Sequence, residues 1–357
     1  MIYGKIYLKS GGINFMALRA STKSTVALDI GSHEVKMLEG RHTSRGLEID
    51  KHVAMPITKG AYKDGYMLDE KEVYHFLNKV LEQGQIETKD IHVTIKTSAA
   101  ITRTAVFPDV DDDQLKGILS NQIYDYIPTD LDKYVVQYKD VGIIQEKDVA
   151  KRKVLIIAIP KDIIEMHLHL IEGLGLKPVM LDYQSNSIAK LVQYSKILNN
   201  KYVVKDSTIA LVDLGYTSAN VTMLENGAIQ LARVLKYKEG DMVGIDSDLL
   251  KMPDVFLKPK DSQMVFKNVI GKFMKANVFE GMEELIRYYT SQDQGGSIDA
   301  ILLYGGLSNI TGVEEVFYEY FNIPTMQIGD VVGVLMHTDM NKYLNCIGSL
   351  ITDKEEK

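Results

Sequence analysis

Thr25-Val-Ala-Leu-Asp-Ile-Gly-Ser-His-Glu-Val-Lys36 is the stretch whose reading decides the fold. The run into Asp29 is apolar without alternation, which predicts a strand buried on both faces. Asp29-Ile-Gly31 predicts a turn, and residues 35–38 begin a returning strand. Ile209-Ala-Leu-Val-Asp-Leu-Gly-Tyr-Thr-Ser-Ala-Asn-Val-Thr222 repeats the order: buried strand, Asp213, one apolar residue, Gly215, hydroxyl-bearing residues, returning strand. Each copy continues through a glycine turn, at Gly46 or Gly227, into a third short strand. A unit present twice predicts a duplicated α/β architecture with a cleft between its copies.

The 357 residues suffice for two ordinary domains, and 25% charged with 45% hydrophobic residues is a globular composition. A net charge of -7 argues against nucleic acid as a partner, which favours a basic face. Cys346 has no second cysteine to pair with, which suits a reducing compartment and a small buried hydrophobe in a C-terminal helix. No apolar run is long enough to span a bilayer. Residues 1–23 carry no signal-peptide core and read as a poorly ordered leader, with Met16 as an alternative start.

Between the two turns, residues 68–83 predict a helix with Asp69 and Glu72 as a capping box and Gly84 as its stop. Ile91, Val93 and Ile95 alternate as a strand. Residues 99–174 form a block of their own: a strand closed by Pro108, a helix over 111–126, strands at 134–138 and 154–159 around a charged hairpin at 146–153, and a helix over 162–174. The run Asp111-Asp112-Asp113 reads as a solvated helix start favoured by the dipole rather than a metal site. His167 and His169, two apart on a helix, point to different faces and do not share a metal. A strand at 177–181, a helix over 185–198 and a polar linker lead to the second turn. Residues 239–272 show little periodicity. A long helix over 273–290, a strand ending in Gly305-Gly306, a helix over 313–321, a short strand to Ile328 and a helix over 341–351 complete the chain.

An Asp at the end of a buried strand, one residue before Gly, sits at the lip of a sheet. The Gly allows a sharp turn that brings backbone N–H groups close to an anion. Ser32 and His33 in one copy, Tyr216 and Thr217 in the other, add side-chain donors. Two such turns face to face can hold a nucleotide's phosphates, with Asp29 and Asp213 holding Mg²⁺ through water. Lys36 either balances phosphate charge or covers sheet surface with its stem. Gly305 and Gly306, with Ser308 after them, leave room for adenine or ribose against the backbone.

In this order of phosphate turn, phosphate turn and Gly-Gly strand end, the chain resembles the actin-like ATPases, a duplicated ribonuclease H-like fold. Within them it is similar to the PilM family of type IV pilus assembly. The resemblance is carried by Leu28-Asp-Ile-Gly-Ser-His-Glu-Val-Lys36, Tyr124-Asp-Tyr-Ile-Pro128, Leu211-Val-Asp-Leu-Gly215, and Leu302-Leu-Tyr-Gly-Gly-Leu-Ser308 followed by Gly312. It implies a first domain from residues 24–98, 175–205 and 340–352, an inserted 1C subdomain at 99–174 as in the division protein FtsA, and a second domain at 206–339. It implies ATP or ADP with Mg²⁺ as ligand. It also implies a partner, the cytoplasmic N-terminal peptide of a PilN-like inner-membrane protein, in a groove between 1C and the first subdomain. Other pilus assembly components follow, with self-association left open. The membrane is reached only through the partner, from the cytoplasmic side.

Three positions depart from the family pattern. Gln184 stands where an acidic residue is usual, and it can orient a water but not take its proton. A double Gly is reduced to Gly240, and Leu307 replaces a third Gly, where it would crowd a base. These departures favour a nucleotide-held scaffold over a sugar-kinase-like or chaperone-like ATPase with at most weak turnover. Asp182, the nearby carboxylate, reads as a helix cap. An FtsA-like division tether would need a C-terminal basic amphipathic helix, and the chain ends Thr-Asp-Lys-Glu-Glu-Lys.

Overall fold

The computed structural model describes residues 23–128, 130–146, 149–238, 260–291 and 296–352. The chain opens with the meander β1 (Thr25–Ile30), β2 (Glu34–Thr43) and β3 (Gly46–Pro56), followed by the small pair β4 (Tyr62–Lys63) and β5 (Tyr66–Met67). Helix α1 (Glu70–Gln83) is capped by Asp69, whose carboxylate accepts from the Glu72 amide at 3.0 Å. Only half of the expected capping box forms, because the Glu72 carboxylate accepts from Thr58 instead. Gly84 is not left-handed either. A Cβ there would sit 2.8 Å from Val53, so close approach to β3, not backbone hand, calls for glycine.

After β6 (Asp90–Ile95) comes the inserted block: β7 (Ile101–Pro108), α2 (Asp112–Tyr126), β8 (Tyr134–Glu146), β9 (Val149–Pro160) and α3 (Lys161–Gly173). Strands β8 and β9 run well beyond the expected apolar cores. Their charged ends pair across the sheet and onto α2, Arg152 meeting both Asp140 and Asp112. The acidic run starts α2 as expected, Asp111 accepting from the amides of Asp113 and Gln114. His167 is buried against Tyr62 and the Ile163 carbonyl, and burial pushes its pKa down to about 4.

The chain returns through β10 (Lys177–Tyr183) and α4 (Gln184–Ser195), ending three residues earlier than expected at left-handed Lys196. The short ladder β11 (Ile197–Leu198) and β12 (Tyr202–Val203) precedes the second meander: β13 (Thr208–Leu214), β14 (Ser218–Glu225) and β15 (Ala228–Lys236). Helix α5 (Lys260–Met274) passes through a π-helical turn, Lys275–Phe279, into α6 (Glu280–Thr290). The long helix therefore starts well before residue 273. Then come β16 (Ala300–Tyr304), α7 (Val313–Phe321), β17 (Thr325–Gln327), β18 (Val334–Leu335) and α8 (Leu344–Leu350).

The duplication is explicit in the sheets. One has the order β10-β6-β1-β2-β3-β18, the other β15-β14-β13-β16-β17. In each, an antiparallel three-strand meander is extended by two parallel strands beside its first strand. Val334 and Leu335 lie in the first sheet, beside β3. Alternation decides which core each residue joins. Ala210, Val212 and Leu214 face α5, α6 and α7, whereas Ile209 and Leu211 join the core of the first sheet. Helices α4, buried except at Gln193 and Tyr194, and α8, buried throughout, lie between the two sheets. The inserted three-stranded sheet β7-β9-β8 packs its own core under α2. Among the described residues no helix is long and apolar enough to cross a membrane.

Candidate functional site

The two turns are built alike. The Gly31 amide donates to the Glu34 carbonyl at 3.0 Å, and the Gly215 amide to the Ser218 carbonyl at 3.1 Å. A Cβ at either glycine would lie within 3.0 Å of that carbonyl oxygen, so each hairpin is tight enough to require glycine. In register, Asp29 faces Lys36 and Asp213 faces Asn220. The turn tips meet: Ser32 and Thr217 hydroxyls are 3.0 Å apart, and the rings of His33 and Tyr216 stack at 4.5 Å. The four candidate donors thus close the cleft mouth against one another.

Beneath the tips both carboxylates are buried. Asn345, on α8, joins them through its Nδ2, 3.3 Å from Asp29 and 3.5 Å from Asp213. Asp213 Oδ2 also accepts from Gln184 Nε2 and has Lys96 Nζ 3.6 Å away. Burial pushes the Asp29 carboxyl up; Lys36 pulls it back in part and Asp213 pushes it further up. Burial works against charge on Lys36 too, but Asp29 and Asp213 outweigh it and raise its pKa. Lys36 thus lies within the electrostatic reach of both carboxylates. Gln184 lies among these groups: its Nε2 donates to Asp213 and its Oε1 accepts from Asn220.

The Gly-Gly strand end differs from expectation. Gly305 has φ +88°, and Asp213 Oδ1 lies where its Cβ would be. Glycine is demanded there by the carboxylate rather than by a base. Gly306 is exposed with open space around it. Ser308 is buried and donates to the Gly305 carbonyl at 2.7 Å, locking the turn instead of facing the cleft. Leu307 points into the second core and crowds nothing in the cleft. Gly240 lies outside the described residues. Asp182 does not cap α4; it forms a buried ion pair with Lys190 at 2.9 Å.

Lys96, Asn345, Tyr237 and Tyr304 are the site residues that sequence reasoning missed. Asn341, Asn345 and Ser349 recur at helical spacing on a segment that is mostly apolar after Lys342, a polar stripe legible in the sequence. Lys96 carried no such signal. The hydroxyls of Tyr237 and Tyr304, together with Asn220 Oδ1 and Asn345 Oδ1, are buried without a partner among the described residues. Burial and the Asp213 charge hold both phenols protonated. Unsatisfied buried polar atoms are uncommon; others lie elsewhere in the fold, and these four belong to residues around Asp213, where a polar ligand could meet them. A nucleotide fits this donor set. Mg²⁺ does not. Asp213 Oδ2 is engaged by amide and ammonium donors, its Oδ1 is pressed on Gly305, and among the described residues no three metal-ligating side chains converge.

A groove of about 1590 Å³ separates the inserted sheet from β15 and α6, with Thr97, Ser98 and Tyr183 at its base. Val106, Ile143 and Tyr288 expose apolar surface along it. Thr102 and Thr104 donate to the β15 carbonyls of Ala232 and Gln230, at 2.9 and 2.8 Å, which holds the walls in place.

Among solved structures the chain is similar to the PilM-PilN type IV pilus biogenesis complex, with 16% identity, 94% of this chain and 100% of that chain covered, and a TM-score of 0.70. It is less similar to the ethanolamine utilization protein EutJ from Carboxydothermus hydrogenoformans, with 14% identity, 92% and 90% covered, and a TM-score of 0.49. A Bacteroides thetaiotaomicron protein with an actin-like ATPase fold matches at 10% identity, 96% and 99% covered, and a TM-score of 0.44. No curated protein sequence matches the chain. The sequence profile described as type IV pilus assembly protein PilM matches residues 27–240. The chain is therefore a member of the PilM family of type IV pilus assembly proteins, built on the actin-like ATPase fold.

Proposed function

We propose that this protein is a cytoplasmic scaffold of type IV pilus assembly, peripheral to the inner membrane, in which a bound nucleotide fixes the angle between the two halves. The observation that carries the reading is the convergence of Asp29 and Asp213 on one asparagine, Asn345, beneath two touching Asp-x-Gly turns. ATP or ADP entering there meets Lys36, Gly306 and the unpartnered hydroxyls of Tyr237 and Tyr304. Such a ligand shifts the halves only by binding the closed arrangement more tightly. Because Gln184 is committed at both ends, the site favours holding a nucleotide over turning it over. The residues supporting this role are Asp29, Gly31, Ser32, His33, Lys36, Asp213, Gly215, Tyr216 and Thr217.

The partner on this reading is the cytoplasmic N-terminal peptide of a PilN-like membrane protein. Its seat is the groove walled by the inserted sheet and by β15 and α6, so the second half takes part, beyond the 1C and first-subdomain surfaces that the resemblance implies. Calorimetric titration of ATP with Mg²⁺ into the wild type is expected to give saturable heat, and Asp213→Ala to weaken binding at least about tenfold, because the acceptor that positions Gln184, Asn345 and Lys96 is then gone. Equal heats in both, or none in the wild type, would leave a scaffold without nucleotide. Pull-down with the peptide is expected to fail for Ile143→Asp, which buries a charge against an apolar ligand. Undiminished capture would place the partner elsewhere.

A further inference from the structure

Lys96 sits one residue past the end of β6, in the first sheet, and its side chain crosses to the second half. Its Nζ is 3.6 Å from Asp213 Oδ2 and donates to the Ser218 carbonyl at 3.4 Å. A Cβ on Gly215 would lie 2.9 Å from that same Nζ, so the ammonium rests directly on the second Asp-x-Gly turn. The side chain is 21% exposed, while its carboxylate partner is buried. A positive charge thus already occupies the ground between Asp213 and the turn that would hold a phosphate.

The charges of the cluster balance: Asp29 and Asp213 against Lys36 and Lys96. A divalent cation entering here would meet two ammonium groups and would have to displace N–H donors from Asp213 Oδ2. Mg²⁺ gives up its own water reluctantly, so nothing compensates that displacement. A phosphate, in contrast, gains charge-assisted hydrogen bonds from ammonium groups already in place. We propose that Lys96 takes the place of the divalent cation, so that nucleotide phosphate is met by Lys96 together with Lys36 and binds without Mg²⁺. The proposal rests on the nucleotide reading above and deepens it. It also gives the nucleotide a lever: phosphate draws Lys96, rooted in the first sheet, away from Asp213 in the second.

The test is calorimetric titration of ATP into the full chain, once with Mg²⁺ and once with EDTA, for wild type, Lys96→Met and Lys96→Arg. Wild-type affinity is expected to agree within about threefold between the two buffers, and Lys96→Met to lose at least about tenfold in EDTA, one charge-assisted contact's worth. Mg²⁺ is expected to restore little of that loss, because Gln184 and Asn345 still donate to Asp213 Oδ2. Lys96→Arg keeps metal-independent binding. Wild-type binding only with Mg²⁺, or a Lys96→Met chain that binds like wild type in EDTA, overturns the role of Lys96 and leaves the nucleotide reading standing. No wild-type heat in either buffer overturns both. Equal urea midpoints for the three chains show that a lost affinity is not a lost fold.

Discussion

Gly348→Ala is expected to destabilise the protein by about 3 kcal/mol or more, near the upper end for overpacked sites. Helix α8 crosses α4 so closely that a Cβ at Gly348 would lie 2.0 Å from the Ser187 carbonyl oxygen and 2.6 Å from its carbon. Both contacts are backbone, in two helices that are buried where they cross. No side-chain rotation relieves the clash, so the helices must separate. Separation has a functional cost, because Asn345 lies one turn before Gly348 and Gln184 opens α4. The clamp on Asp29 and Asp213 would loosen as the crossing opens. Urea unfolding followed by circular dichroism reads the first effect, and ATP titration the second. A Gly348→Ala chain with the wild-type midpoint would mean that the helices do not cross as closely as described.

What was legible in the sequence was what repeats or alternates. The paired Asp-x-Gly turns announced the duplication, and their strands fall where the apolar runs are. Where charge interrupts the pattern, reading stopped too early. The ends of β8 and β9 read as a hairpin because Lys151, Arg152 and Lys153 look like loop residues, although strand pairing holds them in the sheet and Arg152 also meets Asp112 on α2. The Gly-Gly doublet suggests room for a base because a sequence names a small residue without naming the atom that fills its space; at Gly305 that atom is Asp213 Oδ1. Lys96 and Asn345 reach the site from strand and helix ends distant in sequence, and only the folded chain brings them to the carboxylates. Ser308 shows the converse: correct neighbourhood, wrong direction, since its hydroxyl is spent on its own turn.

Lys190→Met is expected to cost about 3–5 kcal/mol, the range for leaving a buried charge without its partner. Lys190 is fully buried, with its Nζ 2.9 Å from Asp182 Oδ2 and 2.8 Å from the Ile351 carbonyl oxygen. Asp182 is further held by Asn186 at 2.7 Å and Ser187 at 2.8 Å. Burial alone would raise the Asp182 carboxyl, but Lys190 and these donors outweigh it and hold its pKa below the ordinary 3.8. A depressed carboxyl contributes stability that is complete above 3.8 and is lost only as pH falls below it. The first losses on acidification therefore come from elsewhere. His92, bonded to the Ser349 carbonyl at 2.6 Å, and His167 are each pushed by burial from 6.5 down to about 4. Both are neutral in the folded chain and protonate once unfolded, so stability falls from pH 6.5 downward, by about 3 kcal/mol for each at pH 4. Urea midpoints at successive pH values separate the two effects. The Lys190→Met loss is expected in full at pH 7, and adding Asp182→Asn to it should restore much of the stability, because the buried charge is then gone as well. A double variant no more stable than Lys190→Met would show that Lys190 acts by tying the Ile351 carbonyl to the crossing helices, rather than by neutralising Asp182.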